Sequence, residues 1–318
     1  KDLGKLFNNL LLQADKYAEY RIPGYTHTQV AMPSSIAIWL GAYAESLVSD
    51  LQLIEGIIGI IDKNPLGSDA GYGSSFPIDR KMTTELLGFN EVLLSSVSAQ
   101  LSRGKLESLV ATGIASIAQT LSRLASDMIF FMSQDLNFIS FPDELTTGSS
   151  IMPHKKNPDV LELVRANCNV ILGVPATLQS MVGNLVSGYH RDFQLTKEIL
   201  FPVFDKIREV MAMLSLMVMN LEVKKDILDA TKYSSVYSVE EVDRKVMSGK
   251  SFRDAYKEVA ASIETGSYHP GKDAKYTHIG SIGNPGIPEI KIKMDEVSKR
   301  IHLLPASDIF KKLAEYYS

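Results

Sequence analysis

The segment TGSSIMPHKKNPD (residues 147–159) gathers side chains that can act together on an anion. The hydroxyls of Ser149 and Ser150 are followed by the ammonium group of Lys155 and the amide of Asn157. A lysine just before a helix N-terminus opposes the helix dipole unless an anion sits between them. Taken by themselves, these residues favour a solvated turn that caps a helix. The alternative, which the lysine and the paired hydroxyls raise, is a mobile catalytic loop that handles an anion.

The end of this segment carries the signals of a helix start. Asn157 is a preferred N-cap, Pro158 suits the first helical position, and Asp159 favours the positive end of the dipole. The cap hypothesis accounts for these three residues. It does not account for Lys155 or for the two serines, so a ligand-binding role remains open.

A second candidate is His27, in the stretch PGYTH, where Thr26 and Gln29 add hydrogen-bonding groups. A histidine in such a setting is more often structural than catalytic. The sequence contains no HExxH motif and no clustered Cys and His pattern, which argues against a zinc site. GxGxxG and GxxxxGK[ST] nucleotide motifs are absent, and the stretch GYGSS lacks the order of a nucleophile elbow.

Three stretches have the apolar periodicity of long helices. The first runs from Pro33, which is favoured in a first turn, to about Asp62. The other two alternate steps of four and three, a pattern typical of helices that pack lengthwise. Their apolar positions are Val110, Ile114, Ile117, Leu121, Leu124, Met128 and Phe131 within 98–136, and then Val203, Ile207, Val210, Leu214, Met217 and Leu221. Helices of this length predict a bundle shared between subunits.

Strand signals are scarce, and the best of them is the alternation around Ile290–Ile292. After about Lys224 the long periodic runs end, and shorter helices with Gly-Pro loops follow. We predict a central long-helix domain over 1–223 and a small helical domain over 224–318. The polar chemistry collects in three loops between the long helices, at 21–33, 64–80 and 147–159.

The composition limits the classes of partner. A net charge of −4 provides no general attraction to nucleic acid or to an anionic membrane surface. No apolar stretch reaches the roughly 18 residues needed to span a bilayer. The single cysteine, Cys168, lies in a predicted helix and is expected to be an inert packed thiol. One cysteine also fits a reducing compartment, so we expect a cytoplasmic protein.

Three motifs resemble those of a known enzyme family. The stretch GSSIMPHKKNP is similar to the GSSxMPxKxNP motif of the fumarase, aspartase and argininosuccinate lyase superfamily. The stretches PGYTHTQ and SGYHRDFQLTKE (187–198) resemble the argininosuccinate lyase forms of two further motifs. The resemblance covers essentially the whole chain and is weakest after Lys224. His154 departs from the Gln usual in this family.

The resemblance implies an all-α long-helix bundle that forms a homotetramer around a shared central bundle, with a small helical C-terminal domain. Each site would draw its loops from three subunits. The implied reaction eliminates arginine from argininosuccinate and leaves fumarate, in arginine biosynthesis, without a cofactor or metal. The alternatives are adenylosuccinate lyase or another fumarate-releasing relative, and a crystallin-like structural homologue that keeps the fold.

The resemblance also assigns roles to individual residues. Ser149 is the favoured base, although whether Ser149 or His27 takes the proton stays open. Lys155 stabilises charge, and Glu162 is expected to hold and polarise His27. The positions carried over as substrate-binding are Thr26, Asn157, Tyr189, Gln194 and Lys197.

The family also has an N-terminal domain that contains a Ser-Arg-Asn-Asp-Gln segment and helps bind substrate. No stretch of residues 1–318 corresponds to that segment. The two long apolar repeats predict that this chain by itself still associates, and the resemblance implies that it shows little lyase activity.

Overall fold

The computed structural model of this chain describes residues 1–271, 275–301 and 305–317. The helices of this described part are α1 (Asp2–Lys16), α2 (Ile36–Ile61), α3 (Arg80–Leu87), α4 (Ser96–Leu101), α5 (Lys105–Phe131), α6 (Asp159–Leu172), α7 (Val174–Val182), α8 (Leu195–Met219), α9 (Ser238–Met247), α10 (Phe252–Glu264), α11 (Ile287–Arg300) and α12 (Ala306–Tyr317). Short 3-10 turns lie at Asp143–Leu145, Arg191–Gln194, Ile227–Asp229 and Thr231–Tyr237. The predicted all-α class is confirmed.

The strands are short and form pairs at the ends of the helices. They are β1 (Arg21–Thr26), β2 (Gln29–Ser35), β3 (Lys63–Asn64), β4 (Glu91–Val92), β5 (Ile139–Ser140), β6 (Thr147–Gly148), β7 (Lys156–Asn157) and β8 (Glu222–Val223). The pairs β1–β2, β5–β8 and β6–β7 are antiparallel, whereas β3–β4 is parallel. These strand pairs hold together the segments that connect the helices.

The main core lies between α1, α2, α5, α6 and α8, which pack against one another along their lengths. In α5 the predicted apolar positions from Ile114 to Phe131 are buried, and in α8 so are those from Val203 to Met217. The lengthwise packing predicted from the four-three alternation is therefore confirmed. Helix α5 has 27 residues and so extends for about 40 Å at 1.5 Å per residue.

The predicted helical stretch 98–136 is interrupted before α5. Gly104 has a φ of +78°, which side-chain-bearing residues rarely adopt. A Cβ atom at this position would also lie 2.5 Å from Cγ1 of Val182, in α7. Gly104 thus allows the chain to turn into α5 and leaves room for Val182 of α7 to pack against this turn.

The predicted start of the second long helix at Pro33 is wrong, although its end near Asp62 is confirmed. Helix α2 begins at Ile36 because the Ser35 hydroxyl accepts a hydrogen bond from the backbone N–H of Ile38, at 3.2 Å. Pro33 instead lies in β2, opposite Pro23 of β1. The polar segment 21–33 is therefore a β-hairpin and not an irregular loop.

Two further local predictions are wrong. Asn157 is not the N-cap of α6, because it lies in β7 opposite Thr147 and the helix begins at Asp159. A residue before proline favours extended backbone, which explains the strand conformation of Asn157. The stretch around Ile290–Ile292 is part of α11 and not a strand. Its buried residues Ile290, Met294 and Val297 follow helical spacing, which a three-residue alternation could not reveal.

Residues beyond 224 contribute to the same core as the long helices. Helix α11 packs against α2, and its Arg300 guanidinium binds both carboxylate oxygens of Glu55, at 2.7 and 3.0 Å. Helices α9 and α10 pack on each other around a smaller apolar cluster of Val242, Ala255 and Val259. The domain division at residue 224 stays a prediction.

Large apolar side chains remain exposed on α6 and α8. They include Leu163 and Val170 on α6, and Phe201, Phe204 and Met213 on α8. These two helices therefore each have one face in the core and a second apolar face on the surface. No helix in the described ranges is long and apolar enough to cross a membrane.

Candidate active site

The serine- and lysine-containing segment forms a loop held at its base by two short strands. Strand β6 pairs with β7, so that Thr147 faces Asn157 and Gly148 faces Lys156. Two side-chain contacts reinforce the base: the Thr147 hydroxyl donates to the Asp159 carboxylate, and the Lys156 ammonium group binds the carboxylate of Asp143. We name residues 149–155 the signature loop.

Within the signature loop, the Ser149 hydroxyl oxygen accepts hydrogen bonds from backbone N–H groups. The donors are the N–H of Met152 at 3.1 Å and, more weakly, that of Ile151 at 3.4 Å. Lys155 is exposed and has no side-chain hydrogen bond or ion pair with any residue that the structure describes. The loop therefore carries a hydroxyl oriented by N–H donors and, six residues later, an available cation.

His27 lies at the tip of the β1–β2 hairpin, in a two-residue turn with Thr28. Both residues have positive φ, at +52° and +60°, the left-handed conformation of a type I′ hairpin turn. Such a φ is rare for β-branched Thr28 and marks a strained position. Close to this turn, the Tyr25 ring packs on Phe130 at 5.3 Å, which anchors the hairpin to the C-terminal end of α5.

Glu162 lies in the first turn of α6 and is exposed. It makes no hydrogen bond with His27 within the described chain. The expected pairing of these two residues is therefore not formed within the part of this chain that the structure describes. Thr26 occupies the last position of β1, next to His27, and is exposed as well.

The predicted binding residues of segment 187–198 form a separate group. The Gln194 side-chain amide donates to the Tyr189 hydroxyl at 3.1 Å, and Lys197 lies exposed in the first turn of α8. The Phe193 ring is buried beneath this group, with the Arg103 guanidinium 5.4 Å from its centre. Arg103 was missed in the sequence, where it has no motif to mark it.

Helix α5 separates two groups of candidate residues. The signature loop and the β1–β2 hairpin form the first group, and segment 187–198 forms the second. The hairpin meets α5 at Phe130, near its C-terminal end, and the signature loop borders a cavity that includes Met132, just beyond that end. Segment 187–198 meets the chain at Arg103, just before the N-terminal end of α5. Since α5 extends for about 40 Å, the two groups within this chain are too far apart to meet at a single small ligand.

The glycine-rich loop after β3 lies beside the second group. Arg80 holds this loop in place, since its guanidinium donates to the carbonyls of Leu66 at 2.9 Å, Leu93 at 2.7 Å and Leu94 at 3.2 Å. This loop lines an open cavity of about 650 Å³ together with Gln100 and Arg103. The anchoring role of Arg80 was not predicted, because its three acceptors are backbone groups that a sequence motif does not show.

Two titratable side chains that are buried in the bundle, Asp50 and Cys168, have pKa values shifted by burial. Burial raises the pKa of Asp50, against the opposing effect of hydrogen bonds from Ser116 at 2.5 Å and Thr120 at 2.7 Å. Burial alone raises the pKa of the Cys168 thiol to about 12, which agrees with the predicted inert thiol. Across the described ranges, no group of three or more His, Cys, Asp or Glu side chains is arranged to hold a metal ion.

A helical bundle with this signature loop defines a class of lyase. A protein-family model described as "Lyase" matches residues 1–173, more than half of the 318 residues. The chain belongs to this lyase family.

Individual relatives carry a more specific name. The argininosuccinate lyase of Parabacteroides distasonis is 53% identical over 279 residues, covering 88% of this chain and 63% of that protein. The argininosuccinate lyase of Bacteroides thetaiotaomicron is 49% identical over 92% of this chain and 66% of its own length. That of Thermotoga neapolitana is 39% identical over 77% of this chain and 62% of its length. The chain thus spans just under two thirds of these curated relatives.

Solved structures support the fold. A crystal structure of EDDS lyase in complex with formate superposes with a TM-score of 0.76 over 98% of this chain and 68% of that one. An EDDS lyase variant with bound fumarate gives a TM-score of 0.72 over the same shares. Both are 20% identical to this chain, so they bear on its architecture alone.

Proposed function

We propose that the protein is an argininosuccinate lyase, which eliminates arginine from argininosuccinate and releases fumarate in arginine biosynthesis. The observation that carries this proposal is the 53% identity to a protein of that name over 88% of the chain. The motif residues of the signature loop and of segment 187–198 support it.

Proton removal is assigned to Ser149. The reaction requires loss of a proton from the carbon beside a carboxylate, followed by breakage of the bond from the neighbouring carbon to the guanidine nitrogen. A serine hydroxyl is too weak a base unless its alkoxide is stabilised. The N–H groups of Ile151 and Met152, which already point at this oxygen, support that role because they would bind the alkoxide more strongly than the hydroxyl.

Charge stabilisation is assigned to Lys155. The intermediate carries two negative charges on the aci-form of the substrate carboxylate, so that fixed cations and N–H donors lower its energy. Lys155 is free to meet that anion, and the nearby N-terminus of α6 adds a partial positive charge. Asn157 and Thr26 are assigned to hydrogen bonding with the substrate.

His27 is assigned to protonating the departing guanidine nitrogen, with Glu162 holding the imidazole. This pairing would form across an interface, because Glu162 and His27 make no hydrogen bond within the described part of one subunit. The separation of the two groups of residues along α5 also supports a site formed between subunits. We therefore propose a homotetramer in which each site combines the signature loop of one subunit with Tyr189, Gln194 and Lys197 of another.

The exposed apolar faces of α6 and α8 are proposed as the shared central bundle. Placed together between subunits, they would bury side chains such as Phe201 and Leu163, which are more than half exposed in one chain. We also propose a cytoplasmic location, in keeping with the single, buried cysteine.

The test is an assay of the complete gene product with argininosuccinate and adenylosuccinate side by side, following fumarate by its ultraviolet absorbance. We expect turnover of argininosuccinate and little of adenylosuccinate. Preference for adenylosuccinate would assign the protein to that related lyase. No turnover of either substrate by a well-folded protein would favour the crystallin-like structural role, against which the presence of Ser149, Lys155 and His27 together argues.

A further inference from the structure

Lys155, which ends the signature loop, and Lys156, which begins β7, have different surroundings. The Lys156 ammonium group is bound to the carboxylate of Asp143, which begins a short helical turn before β6. Lys155 has no such partner among the residues that the structure describes. Two like cations, one peptide bond apart, are thus separated into one that is anchored and one that is free.

The backbone explains this separation. Lys156 is the first residue of β7, and successive side chains of an extended chain point to opposite sides. His154 and Lys156 both line a cavity of about 230 Å³ beside Asn137 and Phe141, whereas Lys155 does not. The residues on either side of Lys155 therefore line this cavity, whereas Lys155 lies outside it and is exposed to solvent.

The strand pair transmits this orientation to the serine. Gly148, the partner of Lys156 in the β6–β7 pair, directly precedes Ser149. On β6 itself, the Thr147 hydroxyl is held by the Asp159 carboxylate. Each strand at the base of the loop is thus fixed by its own side-chain contact, and a shift of β7 would move both Lys155 and the chain leading into Ser149.

We propose that Lys156 is a positioning residue for the lyase reaction: by binding Asp143 it fixes the orientation of β7, so that Lys155 is the cation presented with Ser149 to the substrate. This inference rests on the proposed function. Without the ion pair, β7 loses its anchor and two neighbouring ammonium groups compete for the same anion. The ion pair is largely solvated, so its role lies in orientation and not in overall stability.

The test compares variants of the complete protein by steady-state kinetics and by hydrogen exchange of the loop amides. In Lys156→Met and in Asp143→Asn we expect kcat to fall about 10- to 100-fold with a smaller change in KM, as for a misplaced catalytic group. The double variant should be no worse than either single one, because both remove the same contact. Lys156→Arg keeps the charge and should retain most activity. Amides of 149–155 should exchange faster in Lys156→Met.

The matched control is Lys293→Met, which removes an exposed ion pair with Glu45, between α11 and α2. It should leave kcat and loop exchange unchanged. Normal kcat and normal exchange in Lys156→Met would refute the anchoring role. Additive losses in the double variant would show that Lys156 acts apart from Asp143, and a normal Lys155→Met beside an inactive Lys156→Arg would make Lys156 itself the substrate-facing cation. If the wild-type protein does not cleave argininosuccinate, the proposed function fails, while loop exchange still tests the anchor.

Discussion

At the scale of single residues, the Ser149 hydroxyl leads to the sharpest prediction. Replacing Ser149 by Ala removes a hydroxyl that is needed mainly in the transition state, together with the hydrogen bonds it accepts from Ile151 and Met152. We expect substrate binding to stay close to normal and kcat to fall by several orders of magnitude. Steady-state kinetics with argininosuccinate, together with a binding titration, would measure the two effects separately.

The neighbouring Ser150 provides the matched control. It is exposed, and no hydrogen bond of its hydroxyl is found within the described chain. Ser150→Ala should therefore turn over substrate at close to the wild-type rate. Equal losses in both variants would mean that the loop tolerates neither change for structural reasons, and near-normal turnover by Ser149→Ala would remove Ser149 from the mechanism.

A second residue-scale prediction concerns Cys168. Its pKa is raised to about 12 by burial, from an ordinary value of 9.0, so the folded protein holds the neutral thiol at neutral pH. A thiol reagent at pH 8 should label no cysteine in the folded protein and one in the denatured protein. Because the folded pKa is the higher one, this group's contribution to stability is full below about pH 9 and is lost as the pH rises toward 12.

The Cys168→Ala variant serves as its control, since it should show no labelling in either state. Its stability should also lack the part of the alkaline decline that comes from the thiol. Rapid labelling of the folded wild-type protein would contradict the burial of Cys168 and the packing of this face of α6 in the core.

At the scale of elements, the junction before α5 depends on Gly104. Gly104→Ala would place a Cβ atom in a backbone with φ of +78° and against the Val182 side chain. We expect a loss of about 2–4 kcal/mol in the free energy of unfolding, from backbone strain and overpacking together. Chemical denaturation would measure it.

Gly56→Ala is the contrasting change, because Gly56 lies in α2 and a Cβ atom there meets nothing within 4 Å. It should stabilise the protein by about 0.5–1 kcal/mol through helix propensity. A Gly104→Ala variant as stable as wild type would show that α5 and α7 can separate at this junction.

The elements differ in how far the sequence predicted them. The long helices were predicted because they repeat an apolar pattern over many turns, and α5 and α8 bury the expected side chains. The hairpin was not predicted, since prolines at 23 and 33 weaken the strand pattern and the His27–Thr28 turn lacks the usual Asn-Gly pair. Periodicity over three residues, as at Ile290–Ile292, cannot separate a strand from one face of a helix.

Some residues of the candidate site could be predicted from sequence motifs, whereas their contacts could not. Motifs identify residues such as Ser149 and Gln194 by type and spacing, and Gln194 does lie against Tyr189. Contacts made through backbone carbonyls, as by Arg80, leave no pattern in the sequence. The separation of the two groups along α5 also depends on packing directions that the sequence does not contain.

At the scale of the whole molecule, the separation of the two groups predicts complementation between inactive variants. Ser149→Ala damages one group, and Gln194→Ala damages the other. In randomly mixed tetramers, a site that takes one group from each of two subunits is intact with a probability of about one quarter. Mixed protein should therefore recover up to roughly a quarter of the wild-type activity, although each parent is severely impaired.

The measurement is an activity assay after the two variants are unfolded and refolded together, or expressed together, with light scattering to give the mass. The controls are each variant refolded alone and a mixture of Ser149→Ala with Lys155→Met, which lie in the same loop and should not complement. A monomer by light scattering, or no recovery in properly mixed tetramers, would contradict the shared-site arrangement.

Trp39 gives the molecule a built-in optical reporter. It is the single tryptophan of the sequence, it is buried, and its indole donates to Asp127 at 3.0 Å while its ring meets Phe131 at 5.0 Å. Its fluorescence therefore reports on the contact between α2 and α5, and not on the loops that carry the candidate chemistry. A variant that loses turnover while the Trp39 emission is unchanged keeps the contact between α2 and α5, so one spectrum can distinguish a damaged site from damage to this part of the core without any label.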